Sequence, residues 1–433
     1  MNGEKISDAG VVMKKSAALF VVLVIITGVF FSGCGNKEEG VQITELTAPV
    51  SIQVWYSLGA KYSAPLDVII NQFNESQSMI TVEGVYQGGY ATTQEKLLAA
   101  YVAGEPPVLA QLEQSLVGAF VANEALIPLD SFIKSDKDFD VKDFNKYITQ
   151  GATYNKKLYG LPINVSTPVL YLNRDLFKQA GLDPDKYPTT WDEAYNIAKK
   201  ISDLGPDVYG LRIYNSGWII DSLFHQFGGT IFDKNNTSCL VNSKEIKEAM
   251  AFWQKMVIDG VAVYQGGKDG STMDASGTVG MVMRSTGSIA WFKDNVTFDW
   301  GVAPFTLGTT KAVSLGGGNI YMVKKTTPEE QFAAWQFLKY LTNTENQVYW
   351  STNTGYMVSR KSAKESPEIQ VILKEDPRYN VTYDQLEHAF ARPTVEAWPE
   401  IEDLIQEAMT RIILEGASVD ILDQTADDID EIL

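Results

Sequence analysis

The alternation in "SIQVWYS", beginning at Ser51, puts Ile52, Val54 and Tyr56 on one side of an extended chain and predicts a half-buried strand. "MITVEGVY", ending at Tyr86, predicts a second strand, and between the two Leu66, Ile69, Ile70 and Phe73 fall at helical spacing. Strand, helix and strand at this separation predict a parallel sheet with crossover helices. Later helices are well punctuated. In "TTWDEAYNIAKKI" Thr190 and Glu193 form a capping box, and Trp191, Ala194, Ala198 and Ile201 share a face. In "TTPEEQFAAWQFLKYL" Thr327 caps, Pro328 takes the first helical position and Glu330 closes the box, so that Trp335, Leu338 and Leu341 point inward. The pattern is that of an α/β fold in two lobes.

One apolar run is different. Lys14 and Lys15 precede the stretch from Ala17 to Phe31, which is followed by Ser32, Gly33 and Cys34. That is a basic region, an apolar segment too short for a comfortable membrane span, and small residues at a cleavage point. "MKKSAALFVV" at Met13 offers a second possible start besides Met1. "FSGC" resembles a bacterial lipobox, with Phe31 where Leu is usual. On this reading residues 1–33 are a lipoprotein signal peptide, Cys34 is lipidated, and residues 34–49 form a polar tether. A plain secretory signal with an incidental cysteine is the alternative. With Cys34 lipidated, Cys239 has no disulfide partner and the fold rests on its core.

Charge narrows the partners. A formal net charge of −18 over 433 residues argues against a nucleic-acid surface, which needs clustered Lys and Arg. His225 and His388 lack partners at metal-ligand spacing, and Gly316-Gly317-Gly318 lacks the context of a dinucleotide loop. Neither metal nor cofactor is expected, and no catalytic motif is visible. With 54 acidic residues a glycosidase-like pair can be drawn almost anywhere, so no particular pair is informative. Trp, Tyr, Asn and Ser at loop-like positions do suit a polyhydroxylated ligand, stacked on rings and held at its edge by hydrogen bonds.

Three segments carry a family resemblance. "NVSTPVLYLNRDLFKQAGLDPDKYPTTWDEA" from Asn164 resembles the interlobe segment of family-1 extracellular solute-binding proteins of ABC importers. "WQFLKYLTNTENQVYWSTNTGYMVSRKSA" from Trp335 is similar to that family's second long motif, and "SLGGGNIYMVKK" from Ser314 to its Gly-rich strand entry. The glycerol-3-phosphate-binding branch is nearest, with its "STPVLYYN", "GG" and "TGY" motifs. The resemblance implies a two-lobed periplasmic-binding-protein-like fold of type II, with hinged lobes and a central ligand cleft. Residues 50–166 plus 303–345 would form the N-terminal lobe and 167–302 plus 346–433 the C-terminal lobe. The chain would cross near Asn164–Pro168, Val302–Pro304 and Leu341–Glu345. It also implies a monomeric binding protein, not an enzyme, tethered outside the cytoplasm by its lipid anchor and recognised by ABC permease subunits.

Carried over singly, the branch's ligand positions fall on Tyr90 in "YQGGY", Glu113 in "LAQLEQS", Ser166 in "NVSTP" and Trp218 in "NSGWII". Ser285 in "RSTGS", Gly317 in "GGG" and Tyr356 in "TGY" complete the agreement. Two positions depart. Asp221 stands where a second Trp is expected, and Glu402 in "WPEIE" replaces the Arg of "MPQIR" that pairs with phosphate. Like charges about 4 Å apart repel by roughly 4 kcal/mol at an effective dielectric of about 20, so the phosphate clamp is lost. Glu400, Glu402 and Asp403 also read as acids in the first turn of a helix. Arg392, Arg284 and Arg212 are the cations that could replace the clamp. A sugar or oligosaccharide is therefore the first expectation for the ligand, and glycerol-3-phosphate or a glycerophosphodiester the second. A lipid-anchored glycosidase and an adhesive surface protein are the readings from other classes.

Overall fold

The computed structural model describes residues 45–433 other than Asn215 and Gly266. The expected signal peptide, Cys34 and most of the tether lie outside the described residues. Numbered along the chain, ten strands build two sheets: β1 (Val50–Tyr56), β2 (Ile80–Tyr86), β3 (Leu109–Glu113), β4 (Gly160–Ser166), β5 (Pro168–Asn173), β6 (Tyr209–Ile213), β7 (Ala262–Tyr264), β8 (Val279–Ser285), β9 (Trp300–Pro304) and β10 (Gly316–Met322). The first sheet has the order β2-β1-β3-β10-β4, with β10 antiparallel to both neighbours and β1 parallel to β2 and β3. The second has the order β9-β5-β8-β6-β7, with β5 antiparallel to β9 and β8. There β6 runs parallel to β8 and β7.

Side-chain alternation decides which face each strand buries. Ile52, Val54 and Tyr56 of β1 are buried while Ser51 and Gln53 are exposed. The helix Ala60–Ser76 crosses from β1 to β2 and buries Leu66, Ile69, Ile70 and Phe73. These residues share one core with Trp335, Leu338 and Leu341 of the helix Pro328–Leu341. A second core surrounds the other sheet and takes in Trp191, Ala194, Ala198 and Ile201 of the helix Trp191–Ser202. β4 lies at the edge of its sheet yet is buried along its whole length, and its Val165 packs in the second core. The exposed edge that invites stray pairing is thus covered.

The caps follow local sequence closely. Thr327 and Glu330 form the full reciprocal box. At the other helix Thr190 accepts from the Glu193 N–H at 3.1 Å, but Glu193 reaches back to the N–H and hydroxyl of Thr189, at 2.7 and 2.8 Å. The second arm of that expected box falls one residue earlier.

Passages between the sheets are less local. Only Thr167 separates β4 in the first sheet from β5 in the second. Between β9, which ends at Pro304, and β10, which begins at Gly316, the residues Phe305, Leu307, Val313 and Leu315 pack in the second core. The helix Thr344–Thr354 holds Trp350 in the first core, and Met357 is the next residue found in the second. Between them Gly355 ends the helix in the left-handed conformation, φ +81°.

Candidate functional site

The N-terminal end of β10 is where four of the expected site residues, Tyr90, Ser166, Trp218 and Gly317, meet. Gly317 has φ +99°, and a Cβ there would lie 1.6 Å from the Asn164 carbonyl oxygen. A Cβ on Gly316 would lie 3.0 Å from both Ser166 Oγ and the Trp218 ring, and one on Gly318 3.1 Å from Tyr90. The three glycines therefore let β4, the helix Gly217–Gln226 and the helix Tyr90–Ala103 close around one strand end. Across the same region, a Cβ on Gly287 would lie 2.9 Å from Tyr356 and 3.4 Å from Ser285 Oγ. Tyr90, Trp218, Ser285 and Tyr356 are each only half-buried, while Ser166 is buried.

Asn164 ties this group together. Its amide donates to the Tyr90 hydroxyl at 2.7 Å, and its Oδ1 accepts from Gln111 Nε2 at 2.7 Å and from Gly318 N–H at 3.2 Å. Burial raises the Tyr356 hydroxyl well above its ordinary range, with Tyr62 adding to the effect and Asn164 opposing it. Burial does the same to Tyr90, reinforced by Tyr356 and opposed by Asn164. Both hydroxyls stay protonated and can donate to a ligand. The Tyr62 ring lies 5.3 Å from that of Tyr356, and Trp350 stacks behind it at 6.5 Å.

A charged cluster adjoins these rings. Arg392 Nε donates to Asp221 Oδ2 at 2.8 Å and Nη2 to Glu402 Oε1 at 3.1 Å. Its Nη1 reaches Glu113 Oε1 at 3.4 Å and Ser115 Oγ at 3.3 Å, and the guanidinium lies 5.1 Å from the Trp398 ring centre. Glu113 also accepts from the N–H and hydroxyl of Ser115. The Arg392 and Asp221 side chains are 4% and 3% exposed, whereas Glu113 and Glu402 keep 14% and 23%. Only the latter two can reach a solute. Burial pushes Asp221 up to about 6; Arg392 opposes this, while Glu402 and Glu113 add to it. Burial also raises Glu113, against Arg392 and Ser115. On Arg392 burial disfavours the charge, but the three carboxylates outweigh it and raise its pKa.

The other candidate cations are also paired. Arg212 is buried and bidentate on Asp274, at 2.5 and 2.7 Å. Arg284 donates to the same carboxylate at 2.8 Å and lies 4.6 Å over Trp291, with 15% of its side chain exposed. One carboxylate shared by two guanidiniums leaves one positive charge in excess there. Glu400 sits in the first turn of the helix Trp398–Glu415, but Glu402 falls beyond it, so the helix end does not account for that acid. Arg392 does.

Residues 69–379 match the family described as bacterial extracellular solute-binding protein. The chain belongs to this family. Over 355 residues this solute-binding protein is 28% identical to the sn-glycerol-3-phosphate-binding periplasmic protein UgpB of Escherichia coli O6:K15:H31 (strain 536), covering 78% of this chain and 81% of that one. UgpB from Mycobacterium tuberculosis, solved in complex with glycerophosphocholine, superposes with a TM-score of 0.79 at 25% identity, covering 89% and 98%. The cyclic alpha-maltosyl-1,6-maltose binding protein from Arthrobacter globiformis gives a TM-score of 0.78 at 23% identity, covering 89% and 99%. The architecture is the two-lobed one of these solute-binding proteins. No helix among the described residues is long and apolar enough to cross a membrane.

In this solute-binding protein, Tyr90, Ser166, Gly317 and Trp218 surround one strand end, Ser285 and Tyr356 adjoin Gly287, and Glu113 and Glu402 share Arg392. The groups connect: Tyr356 and Glu113 both lie close enough to Tyr90 to help raise its pKa, and a Cβ on Gly217, next to Trp218, would strike Glu402. Sequence reasoning passed over Asn164, although it lies in the quoted "NVSTP". It also did not pair Asp221 with Arg392, because the two are 171 residues apart.

Proposed function

We propose that this protein captures a neutral sugar or oligosaccharide between its lobes and delivers it unaltered to ABC permease subunits, working as a monomer held outside the cytoplasm by a lipid on Cys34. One observation carries the choice of ligand. The cation nearest the expected phosphate position, Arg392, already faces three carboxylates. An incoming phosphate ester would meet their repulsion. A hydroxyl-rich ring would instead donate to Glu113 and Glu402, meet the hydroxyls of Ser166 and Ser285 and the backbone of Gly317, and stack on Tyr90, Trp218 or Tyr356. Contacts from both lobes would favour closure around the solute.

A phosphate ester is the second reading. It is favoured by the excess charge at Arg284 and by what the relatives' names say they bind. The test is a calorimetric and thermal-shift panel of neutral saccharides, glycerol-3-phosphate and glycerophosphodiesters, with Trp fluorescence as a second readout. Saccharide binding that disappears in Trp218→Ala, with no new reducing ends formed on incubation, is the expected outcome. A response confined to the phosphate compounds would replace the first reading by the second. Release of new reducing ends would replace both by the glycosidase.

A further inference from the structure

We propose that Asp221 and Glu402 are specificity-determining residues that act as resident anions, occupying Arg392 so that a phosphate monoester cannot use it. The inference rests on the reading that the solute binds beside this cluster. A guanidinium offers five N–H donors in a fixed fork. Here Nε is taken by Asp221, Nη2 by Glu402, and Nη1 by Glu113 and Ser115. The Trp398 ring lies against the group, which limits reorientation toward a ligand.

The carboxylates are held where they stand. Asp221 lies on the buried helix Gly217–Gln226 and has 3% of its side chain exposed, so water cannot draw it away. Glu402 owes its approach to a missing side chain: a Cβ on Gly217 would lie 1.8 Å from its Oε1. Both acids are on the same chain as Arg392, so their effective concentration exceeds that of a free solute. A phosphate dianion would have to displace at least one of them and then sit beside the others. The same arrangement does not penalise a hydroxyl, which donates to the outer oxygens of Glu113 or Glu402 without contesting Arg392.

The experiment uses the full chain and its Asp221→Asn, Glu402→Gln and doubly substituted variants, each titrated calorimetrically with glycerol-3-phosphate. The double variant is expected to bind this ester about tenfold or more tighter than the wild type, because each amide replaces a charge that repels phosphate. The gain should vanish when Arg392→Gln is added. A folded double variant within about twofold of the wild type would overturn the inference, as would a gain that survives loss of Arg392. If the double variant does not fold, Glu402→Gln decides alone, its side chain being partly exposed and outside the buried pair. The ratio of variant to wild type is read whatever the natural solute is. A wild type that ignores saccharides while the double variant shows the gain therefore sinks the proposed ligand but not this inference.

Discussion

A single methyl group at Gly317 would sit 1.6 Å from the Asn164 carbonyl oxygen, on a backbone at φ +99°. That conformation alone costs a non-glycine residue about 1–3 kcal/mol, and the overlap forces β4 and β10 apart. Gly317→Ala should therefore lower the melting temperature and weaken solute binding together. Gly59→Ala is the contrasting case: φ is −66° and no atom lies within 4 Å of the added carbon, so its melt should barely move. Residue type at such positions is legible from sequence, and resemblance singles out Tyr90, Trp218 and Tyr356, which the fold brings near one another. Partnerships are not. Arg392 finds Glu113 from 279 residues away, and no period or local motif encodes that meeting.

At the scale of the element, punctuation and amphipathic spacing did most of the work. Thr327 accepts from the Glu330 N–H while Glu330 returns to the Thr327 N–H, closing the start of the helix Pro328–Leu341. Replacing Thr327 by Ala should cost about 1 kcal/mol, read from the denaturation midpoint at unchanged slope. The fully buried helix face, with Trp335, Leu338 and Leu341, should hold the fold otherwise intact. Such helices are readable because their signals lie within a few residues of one another. The passages between sheets are harder to read for the opposite reason: whether Leu315 or Trp350 joins one core or the other depends on which partners tertiary packing supplies.

For the molecule as a whole, the burial of Asp221, with Glu402 and Glu113 adding to its effect against Arg392, makes stability depend on pH in a specific direction. Asp221 holds its proton to about pH 6 when folded, whereas an exposed aspartate releases it near 3.8. Between those values the folded chain binds the extra proton, so raising the pH costs stability over that window. Arg392, Glu113 and Glu402 are the charged groups facing it. Relative to Asp221→Asn, the wild type should lose melting temperature from about pH 4 to about pH 6 and then run parallel. A constant difference across the window would contradict the assignment.

Thr167 sets a geometric rule of its own. Its N–H and carbonyl are both bonded to Thr286, at 3.2 and 3.0 Å, and its hydroxyl accepts from Gln385 at 2.6 Å. With one residue between β4 and β5, the Cα atoms of Ser166 and Pro168 stay within about 7 Å whatever the rest of the chain does. The covalent link limits how far these two strand ends can separate, so any movement of one sheet against the other is expected to pivot near Thr167 and to displace Ser166 little.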